Sequence, residues 1–184
     1  IRLLDDTFIN YSRSWVQAWD FQADYQFETP RFGSFQFYAL ASHQTEFRRQ
    51  ESPSSEPYDT VGFSDGPLSW RGNAGLTWRT GGFTVGWNVQ YYHNYSLRFG
   101  QNTLNDTQVL LNGRERIPSQ TYHDLSFQYR FGETVESQWL RGLALSLGIQ
   151  NVLDTRPPVV AGLLGGYSSH GDPRLRRLDG HDVQ

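Results

Sequence analysis

The sequence contains no cysteine, no methionine and no lysine. Without cysteine there is no disulfide framework, no thiolate metal site and no cysteine nucleophile. Every basic residue is an arginine and the net charge is -3, so the chain has no basic stripe for holding a nucleic acid. No stretch approaches the roughly 18 consecutive apolar residues of a membrane-spanning helix. The five histidines, His43, His93, His123, His170 and His181, lack metal-ligand spacing. No nucleophile elbow, phosphate loop or carboxylate pair stands out. Neither an enzyme nor a cofactor is expected. The opening Ile1-Arg2-Leu3-Leu4-Asp5-Asp6 is neither a signal peptide nor an initiator, which suggests a fragment or a processed chain.

What the sequence does have is aromatic residues, 15% of the chain, within an otherwise polar composition that is only 37% hydrophobic. Its mean hydropathy is -0.61. Such a balance fits a protein with one greasy and one wet face. The order of residues supplies that division with a period of two. Trp15, Gln17, Trp19, Phe21, Ala23, Tyr25 and Phe27 alternate with Val16, Ala18, Asp20, Gln22, Asp24 and Gln26. Side chains alternate faces along a strand, so this reads as a β-strand with one apolar side. The pattern recurs at 35–42, less cleanly, and at 70–79, 83–92, 123–131 and 143–150. That predicts six strands, with a doubtful seventh near 174–178.

Short and long connections alternate between these strands. Residues 28–33 and 80–82 are tight turns, and 132–142 is intermediate. Residues 49–69, 98–119 and 154–173 are long and polar. Transmembrane barrels have short turns at the periplasmic end and long loops outside. Trp70 to Trp78 spans about 26 Å at roughly 3.3 Å per residue, close to the ~25 Å apolar band of an outer-membrane barrel. Both Trp residues sit where aromatic girdles meet the headgroups. Trp and Phe in these numbers would overfill the interior of a small soluble barrel.

The last third resembles the C-terminal end of TonB-dependent receptors. Asn151-Val152-Leu153-Asp154 is followed by Thr155-Arg156-Pro157-Pro158, then Gly166-Tyr167, then Gly171-Asp172-Pro173-Arg174. Upstream, Ile117-Pro118-Ser119-Gln120-Thr121-Tyr122-His123-Asp124-Leu125 is similar to the family's entry to the third strand from the end. Trp15–Phe27, with Phe32-Gly33 at the next turn, resembles its outward-Trp strands. The paired prolines end a strand because they cannot donate ladder hydrogen bonds. Asn151 and Asp154 can satisfy stray backbone groups at that exit.

The resemblance implies an all-β, antiparallel transmembrane β-barrel segment: six or seven strands of a barrel of about 22, in an up-and-down meander. Residues 1–184 would be the C-terminal fragment of that barrel, without the family's plug domain. The ending, Arg174 to Gln184, departs from the alternating, aromatic-terminated last strand of the family. The implied function is energy-coupled uptake of a scarce nutrient across the outer membrane, most simply a ferric siderophore, with a corrinoid or an oligosaccharide as other cargoes. Implied partners are outer-membrane lipid, the plug and, through it, the TonB complex. Candidate ligand residues in the outer loops are Arg98, Arg114, Arg116 and Tyr167, since arginine forks grip anionic oxygens and tyrosine packs on flat ligands. Candidate lumen or plug-facing residues are Arg71, Arg79, Asn88, Gln128 and Arg130. Two other readings stay open. One is a small self-contained outer-membrane barrel with an adhesive or structural role. The other is a soluble β-barrel holding a small hydrophobic ligand.

Overall fold

The computed structural model describes residues 13–98, 103–132, 137 and 139–160. In chain order the elements are β1 (Arg13–Thr29), β2 (Gly33–Gln50), β3 (Tyr58–Asp59), β4 (Trp70–Thr80), β5 (Phe83–Tyr92), β6 (Tyr95–Ser96), α1 (Thr103–Asn112), β7 (Arg116–Ile117), β8 (Gln120–Arg130) and β9 (Ala144–Ile149). All six expected strands are present. They pair antiparallel as a meander, β1-β2-β4-β5-β8-β9, with the short β3 alongside β2. The doubtful strand at 174–178 lies outside the described residues.

Register turns six separate alternations into two continuous faces. Phe27, Phe35, Trp78, Val85, Phe127 and Leu147 stand side by side across the sheet. Tyr25, Phe37, Leu76, Trp87, Leu125 and Ile149 form the next rung. A one-residue slip in any pair would throw that strand's apolar set onto the wrong face. The opposite face is predominantly polar, with Leu40 a large aliphatic exception. One rung there reads Asp24, Tyr38, Gly75, Asn88 and Asp124.

Nothing in the described residues covers the apolar face. Trp19 is 58% exposed, Tyr25 65% and Leu147 62%. Aromatics concentrate toward its two ends. At the long-loop end Trp19, His43 and Trp70 are cross-strand neighbours, and the His43 and Trp70 rings stack at 4.1 Å. At the turn end Trp78 donates its indole N–H to the Phe32 carbonyl at 2.6 Å. Tyr129 lies against both Phe83 and Phe131 there. Between the two ends Ala23, Ala39, Ala74 and Val89 make the rung small and aliphatic as far as β5, where it meets His123 of β8.

β4, β5 and β8 have 11, 10 and 11 residues. A tilted strand needs about 9–11 to cross a bilayer core. β1 and β2, at 17 and 18 residues, run well past it. The connection expected from Arg49 therefore starts later, because β2 continues to Gln50 and then accepts β3. Hydrophobic periodicity fades there while the backbone ladder persists, since ladder bonds do not depend on side-chain polarity. A bulge marks the change. The register shifts between Gln17 and Ala18, leaving Thr45 as the extra residue. The Gln44 amide and the Thr45 hydroxyl both donate to the Gln17 carbonyl, at 3.0 and 3.2 Å. Beyond it the hairpin is charged, with Arg48 paired to Glu46 at 3.2 Å.

Candidate functional site

The three long connections, 51–69, 93–119 and 150–160, share one end of the sheet and fold together. Their centre holds Tyr95, Leu97 and Ile117, all buried, packed by Leu68, Val109 and Val160. Each connection contributes at least one of these side chains. A backbone bond ties the first two further, Ser96 N–H donating to the Gly62 carbonyl at 2.7 Å, and within the second Leu97 N–H donates to the Glu115 carbonyl at 2.8 Å. The Arg114 guanidinium donates to the Val159 carbonyl at 3.1 Å. The loops thus form a cap with a small hydrophobic core of its own. The long polar connection expected at 98–119 contains a helix and a short strand, because Val109 and Ile117 have this core to bury into.

An open cleft of about 450 Å³ lies in this cap, lined by Phe63, Ser69, Asn94, Arg98, Glu115 and Arg116 among others. Arg98 Nε is 3.1 Å from Glu115 Oε1. Arg116 donates from Nε and a terminal nitrogen to Asn94 Oδ1, at 3.2 and 2.6 Å. Ser69 and Asn94 precede and follow the polar-face residues Arg71 and Tyr92 by two positions, so the cleft continues the polar wall upward.

Among the described residues of this cap, Asp65 is the carboxyl whose ionisation burial clearly disfavours. Its Oδ1 is buried without a hydrogen-bond partner. Desolvation raises its pKa above the ordinary 3.8, while a backbone hydrogen bond and the charge of Arg49 pull it partly back. A carboxyl with a raised folded-state pKa binds its proton more tightly when folded. The cap is then most favoured below about pH 4 and loses that contribution as pH rises through the raised value. Asp65→Asn removes the charge that burial penalises. We expect the variant to resist limited proteolysis within 51–69 better than the native protein at pH 7, with the difference gone near pH 4. Equal cleavage rates at both pH values would show that the buried oxygen carries no penalty.

Below the cleft, the polar wall is hydrogen-bonded within itself. Tyr38 crosses to β4, where its ring covers Gly75; a Cβ on Gly75 would sit 2.7 Å from the ring Cζ. A larger residue here would push the end of the Tyr38 side chain away from Gly75. The Tyr38 hydroxyl donates to Asn88 Oδ1 at 2.7 Å and has Asn73 Oδ1 at 3.3 Å. Gln90 donates to Asp124 Oδ2 at 3.3 Å. The other oxygen of Asp124 accepts the Asn151 N–H at 2.8 Å. Asn151 and Asp154 have left-handed backbones, with φ of 51° and 49°, a conformation Asn and Asp tolerate. The Asn151 side chain brackets Thr155, donating to its carbonyl at 2.9 Å and accepting its N–H at 3.0 Å. That is the strand exit anticipated for Asn151, and it steers the chain from β9 into the cap.

Of the loop candidates, Arg98 and Arg116 come together in the cleft, whereas Arg114 holds the Val159 carbonyl. Tyr167 lies outside the described residues. The lumen candidates share the polar face. Arg71 stands between Ser42 and Tyr92, and Arg79 donates to Gln36 Oε1 at 3.2 Å. Asn88 meets Tyr38, Gln128 lies between Thr84 and Ser146, and Arg130 is opposite Ala144. Sequence reasoning did not single out Tyr38, Asn73, Asp124 or Asn94. Their parity along the strands was readable, but their convergence depends on register.

A sheet that is bare and aromatic on one side, hydrogen-bonded and polar on the other, and capped by loops at one end is the wall of a transmembrane β-barrel. The chain matches the family described as TonB dependent receptor-like, beta-barrel over residues 3–152, and it belongs to that family. This is a family of outer-membrane transport receptors rather than enzymes. Comparison with curated proteins and with solved structures gave no match.

Proposed function

We propose that residues 1–184 form the C-terminal part of the barrel of an outer-membrane receptor for energy-coupled uptake of a scarce nutrient. The observation that carries this is the two-faced sheet under a loop cap. The apolar face meets lipid, the polar wall lines the lumen, and the cap meets cargo arriving from outside. On this reading 51–69, 93–119 and 150–160 are extracellular, and the turns at 30–32, 81–82 and 131–143 are periplasmic.

Within the described residues β1 pairs only with β2 along its length, and β9 only with β8. An open edge in lipid costs several kcal/mol per unpaired backbone group. The sheet therefore continues into strands of a longer polypeptide, in a barrel of about 22 strands. The same polypeptide supplies the plug, which connects to the TonB complex. Arg71, Arg79, Asn88, Gln128 and Arg130 are candidates to meet plug or cargo, and Arg98 and Arg116 to meet cargo first. Family resemblance puts a ferric siderophore foremost, with a corrinoid or an oligosaccharide beside it.

An antibody raised against 98–119 tests this on fractionated cells. The expected band is several-fold larger than 21.2 kDa and sits in the outer membrane. A 21.2 kDa outer-membrane band whose gel mobility shifts on heating would replace this reading with a small self-contained barrel. A soluble band would overturn both.

A further inference from the structure

We propose that the upper lumen wall of this chain takes a neutral oligosaccharide rather than an anionic metal chelate. The proposal rests on the transport reading above and narrows its cargo.

Charge decides first. The three rungs of the wall nearest the cap carry Asp20, Asp24 and Asp124 against a single arginine, Arg71. In the cleft above, Arg98 faces Glu115 as an ion pair, and the Arg116 fork is occupied by Asn94 Oδ1. Arginine recognises anionic oxygens best when its fork is presented whole. Here both guanidinium groups already have protein partners, Arg98 through Nε and Arg116 through Nε and one terminal nitrogen. A multiply charged anion passing from the cleft to this part of the wall would move toward carboxylates of like sign. A neutral ligand meets no such barrier.

The neutral chemistry of the wall points the same way. Between the acids lie the Tyr38 ring, close against Gly75, and the Tyr92 ring, edge-on to Tyr122 at 6.1 Å. Among these rings stand the amides of Asn73, Asn88 and Gln90. An aromatic face packs against the C–H side of a sugar ring, and a tyrosine offers a hydroxyl at its rim. Amides and carboxylates present donors and acceptors in pairs, which suits vicinal hydroxyls that both donate and accept. The existing bonds pre-orient these groups. With the Tyr38 hydroxyl directed at the two Asn Oδ1 atoms, the Nδ2 groups of Asn73 and Asn88 are left to donate elsewhere. Pre-organised polar groups reduce the ordering cost of binding.

The test uses the native receptor, purified in detergent from the outer membrane. It is applied to an array of neutral and acidic glycans. In parallel, two anionic chelates, a ferric tris-catecholate and a ferric citrate, are titrated by tryptophan fluorescence. At least one neutral glycan should be retained, and neither chelate should bind. Tyr38→Ala is expected to weaken glycan affinity about tenfold or more, since both the packing face and the hydroxyl go. Asn73→Ala removes one half-buried amide and the longer of the two Tyr38 hydroxyl contacts while the strand ladder stays intact, and it is expected to weaken affinity by about three- to tenfold. Binding of either chelate, or an array that retains no neutral glycan, overturns the proposal. Glycan binding indifferent to both substitutions overturns it as well and assigns the wall to the plug. Failure of the transport reading looks different: the purified chain would then not come from the outer membrane as a large, heat-modifiable species.

Discussion

The native receptor carrying Ala74→Arg will fail to assemble, whereas Thr77→Arg will reach the outer membrane. Ala74 lies midway between Trp70 and Trp78 on β4, in the small aliphatic rung with Ala39 and Val89. The lipid on that face offers an arginine no partner. Its guanidinium cannot shed its proton, and from mid-depth the side chain is too short to reach the headgroups. Arginine at the midplane of a barrel's lipid face costs about 2–4 kcal/mol. That is a large fraction of the net stability of a folded protein. Thr77 is three residues further along the same strand, on the polar wall between Gln36 and Gly86. There the same arginine stays hydrated, and we expect a change within about 0.5 kcal/mol. The readout is the fraction of outer-membrane protein whose gel mobility changes on heating. If Ala74→Arg assembles as well as Thr77→Arg, the apolar face does not meet lipid and the soluble-barrel reading returns.

Gly33→Ala will have a comparably large effect from a single methyl group at the opposite end of the sheet. Gly33 closes the β1–β2 turn with φ of 81°, a left-handed conformation that costs most residues about 1–2 kcal/mol. A Cβ at this position would also run into the backbone carbonyl of Arg79 on β4. Backbone of a neighbouring strand cannot move aside without breaking the ladder, so the obstruction adds to the torsional penalty. Total destabilisation of about 3 kcal/mol is expected. Gly33→Asn separates the two causes. Asparagine tolerates positive φ but keeps the Cβ, so it will fail nearly as badly if the carbonyl is the obstacle. Urea unfolding of the detergent-refolded receptor, followed by tryptophan fluorescence, measures both variants. Recovery of native stability by Gly33→Asn would show that torsion alone matters and that the strands part easily at this turn.

How far the sequence could be read depended on which physics fixed each feature. The alternation of β4 and β5 was unmistakable because lipid and water impose opposite demands on adjacent residues. The alternation at 35–42 was muddier, and register supplies the reason. Tyr38 belongs to the polar wall despite its ring, because it lies over Gly75 with its hydroxyl on Asn88. The extension of β2 to Gln50 was missed because it carries no periodicity and its boundary is a bulge at Thr45. The loop arginines were chosen by chemistry alone. Only the fold separates Arg98 and Arg116, which share a cleft, from Arg114, which braces the chain after β9.

By itself the sequence determined the strands, their greasy and wet sides, the alternation of short and long connections, and a resemblance strong enough to name the family. These are local properties, set by each residue's preference for lipid or water at a spacing of two. The tertiary structure alone decided the register between neighbouring strands, which polar side chains meet across them, and that three polar loops condense around Leu97 and Ile117. Those contacts join residues far apart in the chain. Their free energy arises only once the backbone ladder has set the register, so no local pattern announces them.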